Sequence, residues 1–275
     1  MKIYRYAVLI IAIGIFASCA QALQFHAVMD PMIAENARPG QVINRLFQLT
    51  LASDAPRTQF TANVKDWWLS EDGKKSFYKA AGTLAHSCAL WVQINPVESS
   101  VDPGGTLKIK ASIAIPTDAK PGGYWSALTV DEVPNPLAVT PKGIGVSFLT
   151  SISVGIYVYV TPVTRAASIL DIAVTPTQTT IKMRNDGNCP LYVDGRIEFM
   201  TPGEKKSVIV VAISREVLLP EPINTRVFST SLPDAALLPA GRYLVRLVLD
   251  IGLDHYIGAQ REIDLQRVTA ADKPQ

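Results

Sequence analysis

The chain has 275 residues, with 26 Lys or Arg against 24 Asp or Glu, a formal charge of +2 and 48% hydrophobic residues. So balanced a charge, without a basic stripe or an acidic tract, excludes the electrostatic footprint of a nucleic-acid-binding protein. Between breaks of Gly and Pro, apolar residues recur with a two-residue period, which points away from helical bundles and toward an all-β chain of short antiparallel strands.

Residues 1 to 22 read as a signal peptide. Lys2 and Arg5 precede an apolar run from Tyr6 to Phe16, and Ala20-Gln21-Ala22 puts small residues at the two positions a signal peptidase reads. At about eleven residues the run is too short to span a bilayer, which takes about 20. The mature chain is then expected to begin at Leu23, exported to the periplasm or secreted, and formally neutral because Lys2 and Arg5 leave without any acid. Phe16-Ala17-Ser18-Cys19 supports a competing reading, a lipoprotein processing site with a lipid anchor on Cys19.

The remaining length suits two sandwich domains of roughly 100 to 140 residues each. The first is expected over residues 23 to 161. Gln24 to Met32 and Val42 to Ala52 read as an opening strand pair around the Arg38-Pro39-Gly40 turn. Thr58 to Asp66 alternates and leads into Trp67-Trp68, after which Glu71-Asp72-Gly73 makes a turn with Gly at the left-handed position. Lys74 to Ala81 reads as an irregular surface excursion. Leu90 to Ile94, Thr106 to Ile115 and Tyr124 to Val130 complete the core strands, with Trp91 and Trp125 expected inside. Gly143 to Val160 is the longest run: its even positions, from Ile144 to Val160, are nearly all apolar, and its odd ones are mostly Ser, Gly or Tyr. That pattern predicts a sheet with one buried face.

Val163 to Ser168 is a short linker. A second sandwich is expected over residues 169 to 267, with strands near Ile169 to Val174, Thr179 to Arg184, Leu191 to Phe199, Ser207 to Val211, Thr225 to Ser229, Gly241 to Leu249 and His255 to Leu265. Asn185-Asp-Gly-Asn188 and Thr201-Pro-Gly-Glu204 read as hairpin turns. Residues 268 to 275 read as a tail.

The chain resembles the bacterial PapD-like proteins, the two-domain immunoglobulin-like envelope proteins that include periplasmic fimbrial chaperones. The residues that carry the resemblance are Val64-Lys-Asp66-Trp67, Asp72-Gly73, Ser87-Cys-Ala-Leu-Trp91, Pro96 and Pro103-Gly104. Ile115-Pro116, Ala119-x-Pro-Gly-x-Tyr-Trp125 and the closing Ile156-Tyr-Val-Tyr-Val-Thr-Pro162 follow in the same order. The resemblance implies an exported protein that lends an edge strand to an unfinished pilus-type subunit. Aligned by its terminal proline, the lending strand falls on Phe148, Thr150 and Ile152. Such chaperones also grip a terminal carboxylate with an Arg of the first strand and a Lys of this last one. Here the lysine position falls on Tyr157, and Leu23 to Ile33 contains no Arg, so the charged anchor is missing.

Chemistry-bearing residues are sparse. His26, His86 and His255 lack metal-ligand spacing, and no cofactor motif is present, so a non-enzymatic binding protein or scaffold is expected. After cleavage only Cys88 and Cys189 remain, either as a disulfide closing a long loop or as two separately buried thiols. Partner contacts are expected at Phe148, Thr150 and Ile152 and at the adjacent pair Trp67 and Trp68, one of which must face away from the core. An alternative function, a surface or cell-wall glycan-binding module, would use the outward tryptophan.

Overall fold

The computed structural model describes residues 25–28, 30–78, 80–134, 149–175, 177–204, 206–232 and 238–266. The readings made for the signal peptide, Cys19, Phe148 and the tail lie outside them. Strands are numbered along the chain. The first sandwich stacks two sheets. One runs in the order β1 (Phe25–Val28), β3 (Val42–Leu51), β9 (Thr106–Ala114), β7 (Val92–Asn95). The other runs β2 (Met32–Ala37), β11 (Ser151–Val160), β10 (Gly122–Glu132), β4 (Thr58–Lys65), β8 (Glu98–Val101).

The alternation of the sequence becomes the two faces of these sheets. Along β9, Leu107, Ile109, Ala111 and Ile113 are buried while Thr106, Lys108, Lys110 and Ala114 are exposed. Each fully buried Leu or Ile contributes roughly 1.5 to 3 kcal/mol, and Phe47, Leu49, Phe60, Leu128, Ile156 and Val158 extend the same core.

A two-stranded hairpin, β5 (Trp67–Leu69) with β6 (Lys75–Phe77), reaches out of the first sandwich. Its turn holds Gly73 at φ 82°. The second sandwich packs a three-stranded sheet on a four-stranded one. The former runs β12 (Ala167–Val174), β13 (Gln178–Asn185), β16 (Thr225–Ser231), and the latter β15 (Ser207–Leu218), β14 (Leu191–Met200), β17 (Gly241–Asp250), β18 (Ile257–Leu265). Val193, Ile197, Phe199, Val245, Leu247 and Leu249 fill its core.

Several local expectations are corrected. The opening strand is two strands: β1 pairs antiparallel with β3, then the chain crosses at Asp30-Pro31 and β2 pairs parallel with β11 in the other sheet. Lys75–Phe77, expected to be irregular, pairs with β5 because its partner strand is the aromatic run before the turn. Ala89–Trp91 is a 3₁₀ turn rather than part of a strand, and this takes Trp91 out of the core register and leaves it half-buried. Trp125 is 1% exposed. Asn185-Asp-Gly-Asn188 is not a hairpin turn, for it carries the chain from one sheet of the second sandwich to the other.

That turn also receives the linker. Asn188 N donates to Thr164 O at 3.1 Å and Thr164 N to Asn188 Oδ1 at 2.7 Å, while Asp186 N donates to Ala166 O at 2.8 Å. A Cβ on Gly187 would lie 2.2 Å from Thr164 O, so the glycine serves this close approach. Trp91, half-buried, and Trp125, fully buried, should differ in weight. Trp125→Ala is expected to lower unfolding free energy by about 3 to 5 kcal/mol and Trp91→Ala by about 1 to 2 kcal/mol, as read from urea titrations. Equal losses at the two positions would contradict this assignment.

Candidate functional site

β11 carries two different jobs along its length. Its even residues Val154, Ile156, Val158 and Val160 point into the first core, with Ile152 half-buried beside them. The odd residues begin as Ser151 and Ser153, both exposed, then pass through Gly155 to Tyr157 and Tyr159. Those two phenols are 4% and 2% exposed, so the expectation of a single buried face fails at this end of the strand. The cover is the second sandwich. Tyr157 sits edge-on between Trp67, centroid 6.1 Å away, and Tyr192, at 5.4 Å. Tyr159 Oη donates to Pro190 O at 2.8 Å, and the Arg165 guanidinium lies 5.4 Å over its ring. Burial pushes both phenol pKa values far above the ordinary tyrosine value.

The neighbouring strands complete this joint. Trp67 Nε1 donates to Ser126 O at 3.0 Å and Trp125 Nε1 to Trp67 O at 2.9 Å, so each buried indole finds an acceptor. Gly123 N donates to Asn188 O at 2.7 Å, and a Cβ at Gly123 would meet Pro190 Cδ at 2.4 Å. The β5–β6 turn reaches over the second domain, where Glu71 O accepts from Val227 N at 2.7 Å and Glu71 Oε1 pairs with Lys182 Nζ at 2.6 Å. Asp66, fully buried, accepts Leu84 N at 2.9 Å and Ser87 Oγ at 2.5 Å and so ties the loop before Cys88 to the hairpin.

The other end of β11 is open. β2 borders it only from Ile156, opposite Met32, onward to Val160, and β10 borders its opposite edge throughout. Extending the parallel register backward would bring Val28 beside Ile152, but β1 has gone to the other sheet, where Val28 pairs with Gln48. Among the described residues no strand pairs with the outer edge of Ser151 to Gly155. An edge of that kind presents unpaired backbone donors and acceptors.

The alternation of an antiparallel ladder decides which groups they are. Thr150 faces β10, for its O accepts Glu132 N at 2.9 Å and its N donates to Glu132 Oε2 at 3.1 Å. Thr161 faces β2, its N donating to Ala37 O at 3.2 Å. Odd residues therefore turn their backbone groups outward, which assigns the open positions to Ser151, Ser153 and Gly155. Leu149, 52% exposed, stands at the mouth of this edge, and Ser151 Oγ donates to Asp131 Oδ1 at 2.5 Å.

The residues singled out in the sequence are thus distributed, not assembled. Thr150 and Ile152 border the open edge, Thr150 with its amide turned inward and Ile152 with its side chain in the protein's own core. Trp67 is 2% exposed in the joint and Trp68 is half-buried, so of the adjacent pair only Trp68 keeps part of its surface open. The missing charged anchor has a physical counterpart, since Tyr157 is enclosed by rings and leaves no space for a carboxylate. Cations do line the cleft of about 440 Å³ between the sandwiches: Arg165 pairs with Glu35 at 2.7 Å, and Arg215 lies 4.7 Å over the Tyr192 ring. No pattern in the sequence marked Arg165, Arg215 or Gly155, whose roles depend on the domain contact.

Cys88 and Cys189 do not pair. Both are buried free thiols, Cys88 Sγ lying 3.2 Å from Ser126 Oγ and Cys189 Sγ 3.7 Å from Thr164 O. His86 is engaged elsewhere, stacked on Trp125 at 5.6 Å with Nδ1 3.2 Å from Gly123 O, because the segment around it turns instead of extending. Desolvation pushes the Cys88 thiol up to about 12 and the Cys189 thiol up to about 11. Both are therefore expected to resist iodoacetamide near pH 8 in the folded chain and to react in denaturant, with mass spectrometry reading the adducts. Fast labelling of either thiol in the folded protein would refute this. Among the described residues no cluster of His, Cys, Asp and Glu could hold a metal, and no helix is long and apolar enough to cross a membrane.

No family model matches the chain, and no curated protein matches it in sequence. Solved structures do. The chain is similar to the class 5 fimbriae chaperone CfaA at 11% identity over 86% of this chain and 99% of that one, with a TM-score of 0.47. It is likewise similar to the Pseudomonas aeruginosa CupB2 chaperone, at 11% identity over 88% and 100% of the two chains and a TM-score of 0.44. The E. coli chaperone DraB aligns at 17% identity over 88% and 97%, with a TM-score of 0.39. These are likenesses of fold, two immunoglobulin-like sandwiches in tandem.

Proposed function

We propose that this chain is an exported, non-enzymatic binding protein, chaperone-like or scaffold, that takes a strand of another envelope protein onto the edge of β11 at Ser151 to Gly155. A pilus-type subunit with an unfinished sheet is the partner class that fits such an edge. The observation that carries the reading is the departure of β1 to the other sheet, which leaves five residues of a long strand with one free edge. Strand addition there gains main-chain hydrogen bonds, while alternate side chains of the partner set its specificity. Small residues suit the role, because Ser151, Ser153 and Gly155 put little bulk between an incoming backbone and the edge. Leu149 supplies an apolar contact at its start.

A proline is the discriminating probe, since it removes one backbone donor. At Thr150 it would remove a bond to Glu132, within the protein's own sheet. At Ser153 it removes a donor of the open edge and leaves the ladder to β10 intact. In copurification from the envelope fraction, a partner identified by mass spectrometry on the unaltered chain should be lost from Ser153→Pro and retained by Ser153→Ala. Circular dichroism and thermal melting establish that both variants fold. A folded Ser153→Pro chain that retains its partner at the original yield overturns the reading.

A further inference from the structure

The second sandwich has an open edge of a different kind. β15 closes one side of its sheet and is twelve residues long, and among the described residues only β14 pairs with it. From Ser207 to Ser214 it contains no charge and no Pro, two of the devices that ordinarily blunt a sheet edge, and its bulges lie outside Ile209 to Ile213. On its outer face Val208 and Val210 are 48% and 55% exposed, with Ala212 exposed beside them. On its inner face Ile209 and Val211 are only half-buried against the second core. An inward-facing Ile or Val that remains half-open lies at the border of a core that has room to continue.

We propose that this edge docks a second copy of the same chain, β15 against β15 in antiparallel register about a two-fold axis at Val211. The register follows from the strand itself. Bulges interrupt it at Val208 and at Ser214-Arg215, and Ile209 to Ile213 pairs regularly with β14 between them. With Val211 on the axis, Ile209 faces Ile213 of the copy on the inner side and Val210 faces Ala212 on the outer side, large beside small. The half-buried Ile209 and Val211 are then covered, and the two cores join across the seam. Lys206, one bulge beyond one end of the run, comes opposite Glu216, one bulge beyond the other, and Glu216 is 40% exposed beside Arg226. A parallel addition would instead set Lys206 beside its own copy. An identical edge is thus a chemical complement to this one, and a two-fold pairing of this kind closes after two chains.

The full exported chain should show twice the single-chain mass in light scattering. Val210→Lys, on an exposed position of the outer face, should raise the dissociation constant at least about tenfold and leave unchanged the melting temperature measured at dilutions where the unaltered chain is also monomeric. Val211→Cys should form a self-linked dimer on mild oxidation, because Cys88 and Cys189 are buried, whereas Val208→Cys should not. A chain that stays at single-chain mass overturns the proposal, as does a folded Val210→Lys variant that dimerises undiminished. Linking through Val208→Cys in preference to Val211→Cys overturns it too. The strand-addition reading is tested by Ser153→Pro in the other sandwich, so failure of either leaves the other standing.

Discussion

The burial of Tyr157 and Tyr159 is the contact on which the relation of the two sandwiches depends. A half-buried strand ordinarily leaves alternate residues to water, and the first odd positions of β11 conform, being serines and a glycine. Where the odd residues become tyrosines the second domain closes over them, so β11 is covered on both faces in its last four residues. Aromatic rings bring a large apolar area to such a contact, and edge-on packing of Trp67, Tyr157 and Tyr192 adds a geometric preference to it. The surrounding glycines follow from the same requirement. A Cβ at Gly155 would lie 2.5 Å from the Tyr157 ring, and Gly123 lets Pro190 and Cys189 come down onto β10. One core thus runs continuously from the hairpin of the first sandwich into the centre of the second.

The free edge follows from a separate constraint at the start of the chain. Asp30 and Pro31 lie between a strand paired with β3 and a strand paired with β11, so one continuous segment serves both sheets of a single sandwich. Proline suits the crossing because it needs no partner for a backbone N–H. By leaving one sheet for the other, the segment covers the far half of β11 and exposes the near half. Joint and edge therefore belong to the same strand, separated only by where β2 begins, and a partner strand on Ser151 to Gly155 would lie end to end with β2.

Much of this was legible in the sequence where a strand's own alternation decides the outcome. β9, β13 and β17 stand close to their expected positions because each bears the period-two pattern of a sheet with one better-buried face. β8, Glu98–Val101, carries no such pattern and was missed. Trp91 was misjudged because three residues of 3₁₀ turn displace it from the strand that follows. The tyrosines of β11 read as a polar face since nothing local to a strand tells that another domain will cover it. That this strand offers an edge was read from the sequence, but the extent of the edge was not: whether Ser151 to Gly155 has a neighbour is decided more than a hundred residues away, by the course of β1. The direction of the Thr150 amide likewise depends on its partner Glu132.

The two edges proposed as docking sites, those of β11 and β15, differ in a way that suits different partners. At β11 the outward positions are Ser, Ser and Gly, so the backbone is accessible and side chains add little; an incoming strand there is held by main-chain bonds, whose net contribution is only about 0.5 to 1.5 kcal/mol each. Such an edge tolerates many sequences and leaves specificity to the partner's own groove. At β15 the edge carries Val208, Val210 and Ala212 outward and Ile209 and Val211 half-inward, so docking there gains apolar burial as well as backbone pairing. An edge of that composition would be a hazard if it accepted any strand, and bulges at both ends confine its regular part to five residues of a defined register. On the two proposals the first domain offers a permissive edge and the second a selective one, with the aromatic joint between them.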